Sequence, residues 1–592
     1  MAWNGRTLAS RPCRRDDGRV VKPEPLTGRT TSLILLVASA VMLTLLIYVG
    51  QWLTFWWDEW DFIVNRRVPT VESLFGRHVD HWCLFPVLIY QALFRLAGLE
   101  SYLPYLAVTW LLHLACVWIL FWITAARAGW GLGLIAGLSL LFLGSGYEGL
   151  LQAFQLSFGL SQATGLAAIA LLLRAPGGRP SANGPLAFCA LSVAVASSAG
   201  GLLLVLLVIL WTLFRRDWPG LVAAGLAFAL WVAWFGIWGS AGRIGGVTSD
   251  VLTWAPVAIG HGLGAAVAGL AGAPPIRFAT VGLALGLAGL VIARLAGARW
   301  SALSAAAACV LVIQYALVAA LRPEFGLAWG ARSQYVYLGG LLLWLVIPDL
   351  AAPFVARTYR WRGILVVGVL LLVPVGGNMM QFVGAARAMK GLRATVITEL
   401  RLAEALRSSP DLDADVPIDP PVLPVTPRQY FEASDRLGRP RLACCEPSLA
   451  APGRADVRAL DRVVLRLLPA GPSPAPGGRL TGRPPTVRLE SVGLAASEQE
   501  ACTAVESGVD GGWVSWRPDN RAFAVRGVTR EEVDIRVGVF SDQAEAVETA
   551  LARAAARGEI IGLPRLPEPL QWLIRIRMPG RARISVCNAV AG

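Results

Sequence analysis

Residues 32–62 read SLILLVASAVMLTLLIYVGQWLTFWWDEWDF, and this stretch decides the fold. Its first part, Ser32 to Thr54, is long and apolar enough to predict a membrane-spanning helix. It is longer than a signal-peptide core and lacks a small-residue cleavage site, so we expect it to be retained. Its second part, Trp56-Trp57-Asp58-Glu59-Trp60-Asp61-Phe62, places three carboxylates among aromatic rings. Acids at the membrane surface are costly unless they face water, a partner or a substrate, so this cluster is the first candidate site.

Composition supports a membrane protein throughout. Hydrophobic residues make up 55% of the 592 residues and charged residues only 16%, which excludes an ordinary soluble enzyme. The net charge of +14 would suggest nucleic acid in a soluble protein. Here the arginines flank apolar segments, as the positive-inside rule expects, and we predict no nucleic-acid partner.

The arginine clusters also predict the topology. Residues 1–31 form a basic tail that should stay in the cytoplasm. Two apolar segments, 82–98 and 252–273, are predicted to lie in the membrane interface, since counting either as a crossing would place later arginines outside. This leaves eleven transmembrane helices, with the N-terminus inside and the C-terminus outside, at about 32–54, 103–126, 131–146, 157–174, 184–198, 200–214, 219–239, 276–296, 301–321, 335–352 and 363–383.

The sequence therefore divides into the tail, a transmembrane domain at 32–383 with its first outer loop at 55–102, and an extracytoplasmic domain at 384–592. In the last, Ala385 to Leu406 has helical periodicity, a Pro/Gly-rich linker covers 470–485, and a helical insert is predicted at 543–557. Alternating patterns predict strands at 513–517, 521–526, 533–540, 572–578 and 583–587, which favours a β-sandwich or an α+β domain. Four cysteines lie in this domain, where disulfides persist. Their connectivity stays open, with Cys502–Cys587 one candidate beside Cys444 and Cys445.

This topology brings several polar groups to one outer face. The first loop supplies the acid cluster and then His78-Val79-Asp80-His81. A second outer turn supplies Glu148 and Gln152, and the loop before the tenth helix supplies Arg332, with Tyr335 at the start of that helix.

A first helix that ends in a carboxylate pair, an interfacial helix in the first outer loop, about eleven spans and an extracytoplasmic C-terminal domain resemble the GT-C superfamily. These are membrane glycosyltransferases that use polyprenyl-phosphate sugars. The resemblance covers about residues 30–383: Asp58-Glu59 stands where that family has its acidic motif, and His81 to Leu99 is similar to its second interfacial helix. The motif is only two residues long, so its specificity comes from its position. The chain looks most like uncharacterised bacterial members, with an actinobacterial origin as one option.

The resemblance implies a chemistry that suits these residues. A carboxylate at a dry membrane edge has a raised pKa and can take a proton from the acceptor hydroxyl. Asp58 is predicted to be this base, with Glu59 as its partner or as a sugar or metal contact. The phosphate of the donor leaves without a general acid but needs charge stabilisation, for which an arginine such as Arg332 is suited.

Each assignment has an ordinary alternative. Asp61 could orient the loop by pairing with Arg66 or Arg67. His78, Asp80 and His81 are candidates for acceptor contact, for loop hydrogen bonds or for a divalent metal ion. Arg332 could instead reach lipid phosphate, and Glu148, Gln152 and Tyr335 could line a sugar pocket or lie in an exposed loop.

The predicted function is transfer of a hexose or pentose from a polyprenyl-phosphate donor to an envelope glycan, lipid or protein outside the bacterial cytoplasmic membrane. Two other classes stay open: a transporter or flippase of lipid-linked sugars, and a non-catalytic envelope scaffold. A transporter should carry charges within its spans and discontinuous helices, whereas here the polar groups gather at one face.

Overall fold

A computed structural model describes residues 27–590 apart from 80, 175–182, 241–248, 323–325, 356–360, 421, 443–448, 450–455, 469–472, 476, 492–493, 520–521, 528–533, 541–544, 547–554, 556, 569 and 579. The chain is mostly helical, with a strand-rich region at its C-terminal end. This is the predicted fold class.

Five helices make up the N-terminal part of the described chain: the first helix, three helices in the first loop and the helix that follows the loop. Thr27 caps α1 by accepting a hydrogen bond from the amide of Thr30. In the loop, Thr70 and Ser73 form a reciprocal capping box at α3. The five helices are α1 (Gly28–Gly50), α2 (Asp58–Asn65), α3 (Val71–Phe75), α4 (Leu84–Ala97) and α5 (Leu103–Ala128).

Ten further helices complete the transmembrane bundle up to residue 355. They are α6 (Trp130–Leu141), α7 (Glu148–Leu151), α8 (Leu156–Leu173), α9 (Gly184–Val195), α10 (Ala199–Arg215), α11 (Trp218–Trp234), α12 (Ser249–Leu270), α13 (Pro275–Leu295), α14 (Ala302–Leu321) and α15 (Ser333–Val355). Short 3₁₀ turns lie at Gly144–Gly146, Ala153–Gln155 and Leu327–Ala331, and a π-helical turn follows α11 at Phe235–Gly239. Within the described residues seven helices are long and apolar enough to cross a membrane, so the chain is a multi-pass membrane protein.

The helix α4 starts and finishes at the same end of the bundle, which we call the loop end because the acid cluster lies there. Its beginning adjoins the end of α9, through the bond from the Phe85 amide to the Ala196 carbonyl. The residue after its C-cap, Leu99, donates to Leu437, and Tyr102 reaches back to Glu59. A helix with both ends at one end of the bundle does not cross it.

The helix α12 behaves in the same way. The carbonyl of Gly269, near its end, accepts from Asn378, whose side-chain oxygen in turn accepts from the Ser145 amide at the loop end. Earlier in α12, Gly262 packs on Tyr315 close to Gly330, which precedes α15 at that same end. Another glycine of α12 allows a close approach to α13, since a Cβ at Gly264 would lie 1.8 Å from the carbonyl oxygen of Ala279. The side of the membrane on which the loop end lies stays a prediction.

One continuous helix links the bundle to the second domain. The sequence predicts a span to residue 383 and a separate helix from Ala385, but α16 runs unbroken from Trp361 to Leu406. The helices α17 (Pro427–Leu437) and α18 (Val457–Leu467) follow it.

The strands form two antiparallel sheets. One has the order β1-β10-β7-β12-β5-β4, with β2 also paired to β12, and the other has the order β3-β6-β11-β8-β9. Their bounds are β1 (Ser473–Pro474), β2 (Arg479–Leu480), β3 (Val487–Leu489), β4 (Leu494–Gln499), β5 (Cys502–Ser507), β6 (Gly512–Trp516), β7 (Ala522–Arg526), β8 (Asp534–Gly538), β9 (Glu545–Ala546), β10 (Ile560–Gly562), β11 (Leu573–Met578) and β12 (Arg583–Val590). All five predicted strands are present. Most of the predicted helical insert, like Cys444 and Cys445, lies outside the described residues, and the short strand β9 falls within it.

A disulfide joins Cys502 of β5 to Cys587 of β12, which lie directly opposite each other in the first sheet. Two tryptophans at the second sheet, Trp516 of β6 and Trp572 before β11, are buried, and the indole N–H of Trp572 donates to Pro564. Trp513 of β6 is half-buried.

The second domain packs on the first loop. The amide of Trp57 donates to the carbonyl of Val422, and the rings of Trp60 and Tyr430 meet edge to face at 6.0 Å. Arg67 pairs with Glu432 at 3.1 Å. The acid cluster is therefore held between the bundle and the segment that follows α16.

Candidate functional site

The acid cluster begins a helix. Trp57 has φ 44° and ψ −115°, a conformation that costs a non-glycine residue about 1–3 kcal/mol. This strained residue turns the chain so that α2 starts at Asp58 with three acids in its first turn. Carboxylates are favoured there by the helix dipole.

Asp58 is partly exposed and has no arginine or lysine paired with it among the described ion pairs. Its side chain is 31% exposed, and its Oδ1 lies 3.8 Å from Nε2 of His78. Burial raises the pKa of Asp58 above its usual range; the charges of His78 and Arg332 oppose this, and the charge of Asp61 adds to it. A partly desolvated carboxylate with a raised pKa is a competent general base.

Glu59 faces the interior instead. It is fully buried, and its oxygens accept hydrogen bonds from the amide of Trp56 at 2.9 Å and the amide of Phe154 at 3.0 Å. The hydroxyl of Tyr102 also donates to it. Burial raises the pKa of Glu59, while Arg393 and these donors act in the opposite direction. Its lone pairs are occupied, so it ties the segment before α2, the start of α5 and the turn before α8 together.

Asp61 is engaged by a buried arginine. Its Oδ2 accepts from Nε of Arg66 at 2.8 Å, and Asn65 donates to its Oδ1 at 2.8 Å. Arg66 donates in addition to the carbonyls of Ser73, Gly76 and Arg77. Burial alone would raise the pKa of Asp61, but the hydrogen bonds and the charge of His78 prevail and hold it well below its usual range.

A tight turn fixes His78. The backbones of His78 and His81 exchange two hydrogen bonds of 2.9 Å, and Val79 adopts φ 54° between them. The imidazole packs edge to face on Phe62 and places Nδ1 2.7 Å from Oδ2 of Asp61. His81 contacts Phe158, and Asp80 lies outside the described residues.

Arg332 lies opposite the acid cluster at the loop end. Its guanidinium stacks over Trp329 at 4.2 Å and pairs with Oε1 of Glu148 at 3.3 Å. About a third of its side chain is exposed, and its charge acts on Asp58. Glu148 is nearly buried, and burial raises its pKa against the effect of Arg332.

Two other predicted residues lie close by. Gln152 is buried. Tyr335 is half-buried, and its carbonyl accepts from Gln314 and Tyr315.

A small cavity behind this site, with several polar side chains in its lining, was missed by sequence reasoning. It lies between α5, α8 and α15 and is lined by three glutamines, Gln155, Gln162 and Gln334, with His113 and Tyr337. Gln155 follows Phe154, which touches Glu59 and His78, so the cavity adjoins the acid cluster. Uncharged amides inside a bundle give no pattern in the sequence that separates them from packing residues.

Arg393 was missed as well. It is fully buried on α16, with its guanidinium 4.3 Å from the ring of Trp56 and its charge acting on Glu59. None of its three guanidinium nitrogens has a hydrogen-bond partner among the described residues.

The described residues contain no group of three or more His, Cys, Asp or Glu side chains placed to hold a metal ion. The suggested metal ligand set includes Asp80, so that possibility is not tested.

Comparisons with known proteins find one similar fold. No family model and no curated protein matches the chain. A solved structure that is similar is the crystal structure of ArnT from Cupriavidus metallidurans in the apo state, at 15% sequence identity and a TM-score of 0.44, over 66% of this chain and 82% of that one. Values this low transfer no residue role, so the roles below rest on the contacts described above.

Proposed function

We propose that the protein is a GT-C-type glycosyltransferase that moves a sugar from a polyprenyl-phosphate donor to an extracytoplasmic acceptor. One observation carries this proposal: a partly exposed carboxylate with a raised pKa, Asp58, lies within the electrostatic reach of a half-buried arginine, Arg332, at one end of a membrane bundle. A base beside a cation is what attack on a phosphate-activated sugar requires.

The reaction follows from this pair. Asp58 takes the proton of the acceptor hydroxyl while its oxygen bonds to the anomeric carbon. The bond from that carbon to the phosphate oxygen breaks, and the lipid phosphate leaves with the electron pair. Arg332 compensates the charge that gathers on the phosphate, because a guanidinium binds two phosphate oxygens at once. The lipid tail of the donor accounts for a site at membrane level.

The other predicted residues take different parts in this proposal. Glu59 is assigned to structure rather than to contact with the sugar, since its oxygens are occupied and buried. Asp61 holds the loop. Glu148 orients Arg332, and Gln152, Tyr335, His81 and Asp80 stay candidates for contact with the substrates.

The glutamine-lined cavity is the proposed subsite for the sugar. Amide groups donate and accept at once, which suits hydroxyl groups without charge. It is small, so we propose that a donor must widen it.

Transport is less well supported. Acidic residues described within the spans are few, and Asp349 at the end of α15 is paired with Arg127 at 3.0 Å. Both lie at the end opposite the acid cluster, so no charged path joins the two ends in the described bundle.

The test is sugar transfer in membranes from a panel of radiolabelled polyprenyl-phosphate sugars. We expect the wild type to transfer one donor, and Asp58→Asn to lose at least a hundredfold in rate at an unchanged protein level. Arg332→Gln should chiefly raise the donor KM.

The matched control is Asp415→Asn, which removes an exposed carboxylate paired with Arg428 on the surface. It should transfer at the wild-type rate. Equal rates for wild type and Asp58→Asn would exclude Asp58 as the base. No transfer with a broad panel would contradict the glycosyltransferase proposal itself.

A further inference from the structure

The His78 imidazole lies between two carboxylates of the same helix. Its Nδ1 is 2.7 Å from Oδ2 of Asp61, and its Nε2 is 3.8 Å from Oδ1 of Asp58. His78 is only 5% exposed. Its buried Nε2 has no hydrogen-bond partner among the described residues.

Asp61 determines which ring nitrogen of His78 carries the proton. This carboxylate stays ionised, because Arg66 and Asn65 both donate to it. An ionised carboxylate only accepts, so the close Nδ1 must be the donor. In the neutral ring the proton is then on Nδ1, and Nε2 presents a lone pair toward Asp58.

We infer that His78 is a positioning residue for the base, held in one tautomer by Asp61 and Arg66 so that Nε2 accepts a hydrogen bond from Asp58 once Asp58 has taken the proton of the acceptor. This rests on the function proposed above.

The geometry gives the order of events. While Asp58 is ionised, two acceptors face each other and the 3.8 Å gap is too long for a hydrogen bond. When Asp58 gains the proton from the acceptor hydroxyl, its O–H can donate to Nε2 if the two groups close by about 1 Å. The protonated base is thereby stabilised at the moment when it forms. The proton later leaves through Asp58 to the phosphate that has departed.

Other charged or titratable groups surround His78 and Asp58. Asp61 and Arg66 lie on the Nδ1 side of the ring, and the charge of Arg332 acts on Asp58. The thiol of Cys83 is buried near Asp58, Asp61 and Arg66. Contact with substrate is the alternative role for His78, but its ring is enclosed by Phe62 and Phe154.

The first experiment is kinetic. In His78→Asn the amide nitrogen can replace Nδ1 toward Asp61, while the atom that faces Asp58 is removed. We expect kcat to fall at least tenfold and the donor KM to stay within twofold. His78→Gln places an amide near the Nε2 position and should recover part of the rate. His261→Asn, on α12, is the control and should match the wild type.

The pH profile separates positioning from packing. In the wild type a hydrogen bond from protonated Asp58 to Nε2 favours the protonated form of Asp58, so it moves the acid limb of kcat to higher pH. In His78→Asn only Asp58 remains, and the acid limb should move to lower pH. The inference would be overturned if His78→Asn left both kcat and its acid limb unchanged, or if it moved the acid limb to higher pH.

The second experiment needs no donor. The chain has only four histidines, so nitrogen-15 spectra of histidine-labelled protein can be assigned by single substitutions. At mildly alkaline pH we expect His78 to carry its proton on Nδ1 and to lose this preference in Asp61→Asn. A proton on Nε2 in the wild type contradicts the inference.

The two proposals fail differently. If the wild type transfers sugar and Asp58→Asn does not, but His78→Asn behaves as the wild type, only the inference fails. If no sugar is transferred, the proposed function fails, and the tautomer of His78 still decides whether the ring is held as inferred.

Discussion

Replacing Arg393 with leucine should destabilise the protein, although Arg393 makes no hydrogen bond among the described residues. Its guanidinium is fully buried, 4.3 Å from the ring of Trp56, and is the cation that balances buried Glu59. A desolvated cation–π contact contributes about 2 kcal/mol. Removal of one partner of a buried charge pair costs about 3–5 kcal/mol, because the other charge is left uncompensated.

We therefore expect a loss of about 3–5 kcal/mol in Arg393→Leu, a large part of the 5–15 kcal/mol that typically stabilises a domain. Neutralising both partners, in Glu59→Gln with Arg393→Leu, should recover at least 2 kcal/mol relative to the sum of the single changes. The assay is the thermal midpoint of the detergent-solubilised protein, measured as the temperature at which half of the protein is no longer monodisperse.

The raised pKa of Glu59 determines how the stability of Arg393→Leu should change with pH. Burial raises the pKa of Glu59 above its usual range, so its contribution to stability is present at low pH and is lost as pH rises through the folded-state value. Without Arg393 this loss grows, and Arg393→Leu should be more destabilised at pH 8 than at pH 5. Additive single changes, or a pH-independent difference, would refute a charge pair between Glu59 and Arg393.

Three further predictions concern other parts of the chain. Asp58→Glu should lower activity and leave the thermal midpoint unchanged. Glu59→Asp has a shorter side chain that loses hydrogen bonds, so it should lower the free energy of unfolding by about 1–3 kcal/mol and lower the thermal midpoint with it. The reverse pattern would contradict the assigned roles. Burial raises the pKa of Glu399 from 4.5 to about 9, so wild type should lose stability relative to Glu399→Gln as pH rises from 4.5 to 9, and parallel melting curves would oppose this. Reduction of Cys502–Cys587, whose sequence separation is 85, should cost about 4–5 kcal/mol and open the second domain to trypsin, whereas an unchanged digest would show that the disulfide adds little.

The sequence predicts the bundle well because membrane spans depend on a simple physical quantity. Apolar length marks α1, α5 and α13 to within a few residues of their observed ends. Alternation marks the strand β11, in which Ile574, Ile576 and Met578 are buried and Arg577 between them is exposed. The separation into two helices at residue 383 is not observed: polarity changes there, but nothing interrupts helix formation, and α16 continues.

The site is predicted less completely. Arg393 lies some three hundred residues from Trp56 in the chain, and no local pattern indicates that the two meet. The glutamine cavity is hidden for the same reason. Arg332 is predicted because it follows a loop at a span end, which places it at the surface by topology alone.

The different surroundings of three neighbouring acids follow from helix geometry once the start of α2 is known. Residues advance by about 100° each along a helix, so positions 58 and 61 share a face and position 59 points away from them. Asp58 and Asp61 accordingly meet the same histidine, whereas Glu59 enters the core and meets Tyr102. The resemblance suggests Asp58 and Glu59 as the working pair. In the structure the strained Trp57 sets where α2 begins, and with it which acids lie beside His78.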